Sequence, residues 1–237
     1  RYSSRDGLLM NGDGTEILGV PTARTALTVQ SGVTRVVLPY SNSLKALVLE
    51  AESLEDLPEV NYARLSKSCR IVVPDELLTA YLSDQREMLQ RTGLSVIPAS
   101  QYDPSQDGSQ NGYVLRDDFL LTSDLRLHQV LRESVHWLAL PDGLTGAEAE
   151  AFTGLAGDLE VLILPQDGTF PHFAEGSFAG YDKLTLACYT EDQATAAGSL
   201  AALYPGVIRV RMVESHGDYT YLESDGGYVL LSVPQGL

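Results

Sequence analysis

Basic residues are scarce in this sequence, and the shortage excludes more than any motif does. Sixteen Lys and Arg stand against 32 Asp and Glu in 237 residues, a net charge of −16. A surface of that sign repels phosphates and anionic headgroups, which argues against nucleic acid as a partner. Long apolar runs are missing as well. None approaches the about 20 residues needed to span a bilayer, so no membrane insertion is expected. No basic n-region leads into an apolar h-region. The chain opens at Arg1 rather than Met and is expected to be a fragment or a processed form, so the missing leader says nothing about secretion. Two cysteines, Cys69 and Cys188, are too few for a disulfide framework.

Catalytic signatures are also lacking. His128, His136, His172 and His216 are scattered and fall in no H-E-x-x-H or C-x-x-C context. Ser215, His216 and Asp218 bring triad residue types together, but neighbours in sequence cannot form triad geometry, and no G-x-S-x-G elbow exists. Gly12, Gly14 and Gly19 lack the spacing and following helix of a phosphate loop. Asp103-Pro104-Ser105-Gln106-Asp107-Gly108 places oxygens as a calcium loop does, yet its twelfth position is Val114 rather than Glu. No catalytic, cofactor-binding or metal residue is therefore assigned.

What the chain has is repetition. Asn11-Gly12-Asp13-Gly14 separates two apolar runs and predicts a β-hairpin. A second turn, Ser123-Asp124-Leu125-Arg126, sets Asp124 against Asp13 at an offset of 111, and Leu140 follows Val29 at the same offset. Beyond these positions Leu140, Leu164, Cys188 and Met212 recur with a period of 24, as do Leu49, Val73 and Ile97. The offset between the series has become 115, which places a four-residue gap before Leu49. The segment 221–237 repeats the hairpin pattern, with Asp225 set against Asp13 and Asp124. Leu159, Leu162 and Leu164 in Leu159–Pro165 stand at L-x-x-L-x-L spacing, so Leu162 and Leu164 share one face of a strand.

The connections repeat too. Residues 75–92 have helical spacing with Asp75 as N-cap, and Thr190-Glu191-Asp192-Gln193 has the form of a capping box. Polar residues 99–112 read as a linker carrying an insertion of about fourteen residues. These features give an α/β chain, a solenoid of short parallel strands with helical or irregular returns, interrupted by β-hairpins. The expected modules are 1–98 and 113–214, joined by linker 99–112, with 215–237 the start of a truncated third.

Residues 143–165 (GLTGAEAEAFTGLAGDLEVLILP) resemble the bacterial BspA-type leucine-rich repeat, with a Leu-Thr turn, an Ala-Phe-x-Gly and a Leu-rich strand ending in Pro. Ser177-Phe178-Ala179-Gly180-Tyr181 with Leu184 and Leu186 is a second instance, and residues 31–39 are a shortened one. The Asn or Cys that closes the strand in ordinary leucine-rich repeats is missing. The resemblance implies a secreted or cell-surface protein concerned with adhesion. Phe152 and Phe178 are expected to fill the interior, and Cys188 to be a buried, unreactive thiol.

Three functions stand open. The first is a non-catalytic module binding a protein or glycan at a cell surface or matrix. The second is a scaffold or spacer displaying a neighbouring domain. The third is a glycan- or peptide-acting hydrolase using a pair such as Asp117 and Asp118. An exposed patch among Tyr40, Tyr62, Tyr102, Tyr113 and Trp137 would favour binding; a pocket of converging carboxylates would favour an enzyme.

Overall fold

A computed structural model describes residues 2–40, 42–106, 112–132, 134–216, 219–224 and 227–232. The protein is mixed α/β, mostly strand with few helices. It divides into two compact units, Arg1–Ser123 and Asp124–Leu237.

The first unit runs β1 (Tyr2–Arg5), β2 (Leu8–Asn11), β3 (Glu16–Gly19), β4 (Ala26–Val29), β5 (Arg35–Val36), β6 (Ala46–Leu49), β7 (Glu59–Val60) and β8 (Arg70–Val73). Helices α1 (Leu78–Asp84) and α2 (Arg86–Thr92) then lead to β9 (Ser95–Pro98), β10 (Tyr113–Arg116) and β11 (Phe119–Leu121). From β3 onward the chain alternates between two parallel ladders. One is β3-β5-β7 and the other β4-β6-β8-β9. Leu27, Leu47, Ile71 and Val96 align across the second ladder, and all are buried. Their spacings are 20, 24 and 25 residues: each strand must present its apolar side chains in step with the last, while the return between strands varies in length.

The second unit repeats this order with β12 (Arg126–Val130), β13 (Trp137–Ala139), β14 (Gly146–Ala147), β15 (Val161–Ile163), β16 (His172–Phe173) and β17 (Leu184–Cys188). It closes with α3 (Glu191–Ala201), β18 (Ile208–Met212), β19 (Glu214–His216), β20 (Tyr219–Ser224) and β21 (Gly227–Ser232). Its parallel ladders are β12-β14-β16 and β13-β15-β17-β18. Leu138, Leu162 and Leu186 align in register and are buried, as are Leu159 and Leu164.

The turns between ladders are matched across the units. The Thr34 hydroxyl donates to the Thr15 carbonyl at 3.2 Å, and the Thr145 hydroxyl to the Asp124 carbonyl at 2.8 Å. Each threonine follows a glycine with positive φ, Gly32 at 86° and Gly143 at 75°, where the chain reverses in a conformation that disfavours a side chain.

Four expectations differ from the structure. Val73 lies opposite Pro98, not Ile97, so the first unit's helical return takes one residue more than the 24 between Cys188 and Met212. The helical segment 75–92 is split at Gln85, and Asp75 caps nothing; its carboxylate accepts the Ser100 N–H at 3.0 Å. That contact holds the carboxyl below the usual range, the Ser100 hydrogen bonds being the main cause. The compact units part at 123/124 rather than within 99–112, because β10 pairs antiparallel with β9 and carries β11 with it.

Hairpin alignment is the fourth difference. β20 and β21 bring Ser224 opposite Gly227, as β1 and β2 bring Arg5 opposite Leu8 and β10 and β11 bring Arg116 opposite Phe119. The third hairpin therefore matches β1-β2, not the turn at Asp13. Counted from Pro98 to Arg116 and from Met212 to Ser224, the insertion is six residues, not fourteen. Asp225 itself lies outside the described residues.

Candidate ligand-facing surfaces and cavities

The second unit presents a sheet face built from the strand positions that alternate with its leucines. Trp137, Val161, Thr185 and Arg209 form one row across β13, β15, β17 and β18; Ala139, Ile163, Ala187 and Arg211 form the next. Leu222 of β20 is buried on this face against Val161, Ile163 and Ala187, with Tyr189, Val213 and Leu231 around it. The cover is partial. Trp137 keeps 49% of its surface exposed beside Val161.

A cavity of ≈370 Å³ lies at the margin of that cover, lined by Asp158, Glu160, Lys183, Arg209, Arg211 and Glu223 among others. It brings carboxylates and cations together around an apolar patch from Val161 and Leu222. An arrangement of mixed sign offers hydrogen-bond donors and acceptors to a neutral polar ligand and favours no ion of one sign.

The first unit contains a cavity of ≈610 Å³ beneath residues 54–60, between that segment and the helices. Val33, Leu57, Tyr62 and Met88 make its apolar lining, and Glu55, Asp56, Glu59 and Asp84 its acidic one. No Lys, Arg or His is among its lining residues. Sequence periodicity gave no sign of this cavity, because residues 54–60 are a short 3₁₀ turn, loop and a two-residue strand.

The aromatic candidates do not form one patch. Tyr62 and Tyr113 are buried, Tyr102 is half-buried, and Tyr40 stands exposed with the Arg64 guanidinium 4.2 Å from its ring centre. Phe152 and Phe178 are fully buried, stacked 5.6 Å apart, with Phe173, Tyr181 and Tyr204 packed on them.

The other candidates sit in structural roles. Asp117 and Asp118 form the turn of the β10-β11 hairpin. Asp117 has φ of 53° and its carbonyl accepts from Gln90, while the Asp118 carboxylate is ion-paired with Arg86. His128 contacts Glu148 at 2.5 Å, and His136 lies 3.8 Å from Glu160. Asp103 accepts the Ser105 N–H and hydroxyl at 2.9 and 2.6 Å, a local turn that lowers its pKa; Asp107 and Gly108 lie outside the described residues. The Ser215–Asp218 run is likewise only partly described. Among the described residues no group of three or more His, Cys, Asp or Glu could hold a metal. Cys69 and Cys188 are buried and unlinked, and burial pushes their thiols up to about 12 and about 11.

No family model, curated protein or solved structure matches this chain.

Proposed function

We propose that the chain is a non-catalytic binding module built as a leucine-rich-repeat-like solenoid of the BspA type, from a secreted or cell-surface protein. The observation that supports it is the alternation of the backbone between two parallel ladders, with β6 and β8 and each neighbouring pair from β13 to β18 in register 24 residues apart. A repeated rung of this kind makes an extended surface, and extended surfaces suit protein or glycan partners. The proposed contact surface is the partly covered face at Trp137 with the adjoining mixed-charge cavity. An exposed indole can stack on a sugar ring, while the cavity supplies donors and acceptors for hydroxyls.

Purified protein probed on an array of glycans and matrix proteins tests this reading. Specific binding is expected, with Trp137→Ala weakening it at least tenfold. Failure to bind any spot, or binding that ignores Trp137→Ala, would count against the assignment.

A second reading, a spacer displaying a neighbouring domain, is favoured by carboxylates that join one turn of the chain to another. Asp75 holds Ser100, and Asp167 accepts the Gly143 N–H at 2.7 Å. The hydrolase reading draws no support from Asp117 and Asp118, given the Arg86 partner and the hairpin-turn position.

A further inference from the structure

Around β7 the first unit carries smaller side chains than the second does around β16. β7 pairs with β5 as β16 pairs with β14, and each is entered through a proline, Pro58 before Glu59 and Pro171 before His172. Leu57 and Val60 thus stand where the second unit has Phe170 and Phe173. Those two rings pack edge to face at 5.7 Å, and Gln193 ties their segment to α3 by donating to the Thr169 carbonyl at 2.9 Å. With the smaller residues, the first unit keeps a cavity of ≈610 Å³ between residues 54–60 and its helices. That volume lies in the range of small-molecule sites.

The cavity is graded in polarity. Val33, Pro58 and Tyr62 are buried and Leu57, Val60 and Met88 half-buried, whereas Glu55, Asp56, Glu59 and Asp84 are exposed. Its walls are therefore apolar and its rim acidic. Arg35 stands opposite Glu59 across β5 and β7. The other three carboxylates have no such neighbour. Asp56 accepts from the Ser53 hydroxyl at 3.0 Å and Asp84 from the Gln85 amide at 2.7 Å, both neutral donors. Among the described residues no cation pairs with Glu55, Asp56 or Asp84. Behind the wall, Tyr81 is 0% exposed and its hydroxyl lacks a well-formed hydrogen bond. Its polar neighbours are the Tyr62 hydroxyl and the Asp84 carboxylate, which belong to cavity-lining residues; burial raises the pKa of both phenols, and Asp84 adds to the rise. A buried polar group left over in this way calls for a partner that the chain itself does not supply.

We propose that this cavity binds a small organic ammonium ion bearing an apolar chain, with the chain against Leu57, Val60 and Met88 and the ammonium at Asp84. The ammonium donates to the Asp84 carboxylate and to the Tyr62 oxygen, which leaves the Tyr62 O–H to donate to Tyr81. Glu55 and Asp56 add attraction from the rim. A bare metal ion is the wrong occupant, because among the described residues no group of three or more His, Cys, Asp or Glu could hold one, and apolar walls offer it no ligand. The rim repels an anion, and an uncharged chain would leave the carboxylates without a counter-charge.

Methionine-methyl NMR of the full chain, with n-hexylammonium as the probe at about 1–20 mM, tests the proposal. Of the three methionines, Met10, Met88 and Met212, only Met88 lines the cavity. At about 0.15 M salt, which screens non-specific attraction to the acidic surface, the Met88 signal is expected to move and saturate while the other two stay. Ethylammonium, n-hexanol and hexanoate are expected to bind at least about tenfold more weakly, since each lacks the chain or the charge. Asp84→Asn and Tyr62→Phe should each weaken hexylammonium by about threefold or more. Leu57→Phe, which introduces the second unit's ring, should abolish binding; if it fails to fold, the exposed Asp84→Asn still decides. A Met88 signal that stays in place, an equal response to ethylammonium or hexanol, or an Asp84→Asn chain that binds as the wild type does, would each overturn the proposal.

Discussion

The last helical return of each unit solves the same problem in a different way. In the second unit one helix, α3, carries the chain from β17 to β18 and opens on a complete capping box. Gln193 is buried, and all its hydrogen-bonding capacity is used. Its amide donates to the Pro165 and Thr169 carbonyls at 2.7 and 2.9 Å, and its oxygen accepts the Tyr189 and Thr190 N–H groups at 2.8 and 3.3 Å. In the first unit the return is broken into α1 and α2, and neither has a side-chain cap. The interiors differ in the same sense. Stacked phenylalanines fill the second unit, while the first packs Tyr62 and Tyr81, whose buried hydroxyl lacks a well-formed hydrogen bond. One order of strands thus tolerates two interiors, and among the described residues only the first leaves a buried side-chain hydroxyl without a well-formed hydrogen bond.

Removing an aromatic from the second unit should have the largest effect. Phe178→Ala deletes a fully buried ring with neighbours in Phe152, Phe173, Tyr181 and Tyr204. A loss of about 3–5 kcal/mol is expected. Trp137 is the protein's single tryptophan and lies in this unit, so its emission during urea unfolding reads the change locally. A loss under about 1 kcal/mol would show that the ring stack does not organise the unit.

Gln193→Ala comes next. It strands the buried Pro165 carbonyl, the part-buried Thr169 carbonyl and two part-buried N–H groups at the start of α3, for an expected cost of about 2–3 kcal/mol by the same readout. The first unit has no equivalent position. If the variant unfolds at the wild-type urea midpoint, the contrast between capped and uncapped returns has no energetic content.

Two tyrosines test the contrast by sign. Burial raises the pKa of both, with Tyr62 adding to the rise at Tyr81. The Tyr181 hydroxyl donates to the Phe152 carbonyl at 2.9 Å, and Tyr181→Phe should cost about 1 kcal/mol. Tyr81→Phe removes a hydroxyl that has lost water without gaining a good partner, and should stabilise by up to about 1 kcal/mol. Differential scanning calorimetry of both variants checks this. A destabilised Tyr81→Phe would mean that Tyr62 and Tyr81 are well paired and that the first interior is as satisfied as the second.

The parts legible in sequence were those that repeat with side chains in view. Leu140, Leu164 and Cys188 mark in-register strand ends because every rung must bury the same positions, and Thr190 with Gln193 announces its cap locally. The ladders β3-β5-β7 and β12-β14-β16 were not legible. β5, β7, β14 and β16 are two residues long, too short to show any alternation. The slip from Ile97 to Pro98 hides in a helical return that absorbs one residue without disturbing burial, since Ile97 and Pro98 are both buried. Asp75 looks like a cap because its true partner, Ser100, lies a full rung away. The third hairpin misaligned because Asp-Gly occurs at both Asp6-Gly7 and Asp13-Gly14, and only strand pairing separates them.

Stacked aspartate turns supply the smallest effect and the one with a pH signature. Asp167 accepts the Thr169 and Gly143 N–H groups at 2.8 and 2.7 Å, while Asp142 accepts the Asp167 N–H at 3.1 Å, so neighbouring turns are tied through carboxylates. The Thr169 hydrogen bonds, with that of Gly143 after them, hold the Asp167 carboxyl below its usual value. A depressed carboxylate contributes stability that is present above its unfolded pKa and is lost as pH falls through the folded one. Asp167→Asn keeps a hydrogen-bond acceptor but cannot titrate. Its stability should therefore fall less steeply than wild type as the pH drops below about 4, with a smaller difference in slope near neutrality. Asp75→Asn makes the matching test in the first unit, where Ser100 alone supplies the main contacts. Parallel acid profiles for wild type and Asp167→Asn would leave the turn stack a matter of geometry alone, with no electrostatic difference between the folded and unfolded chain.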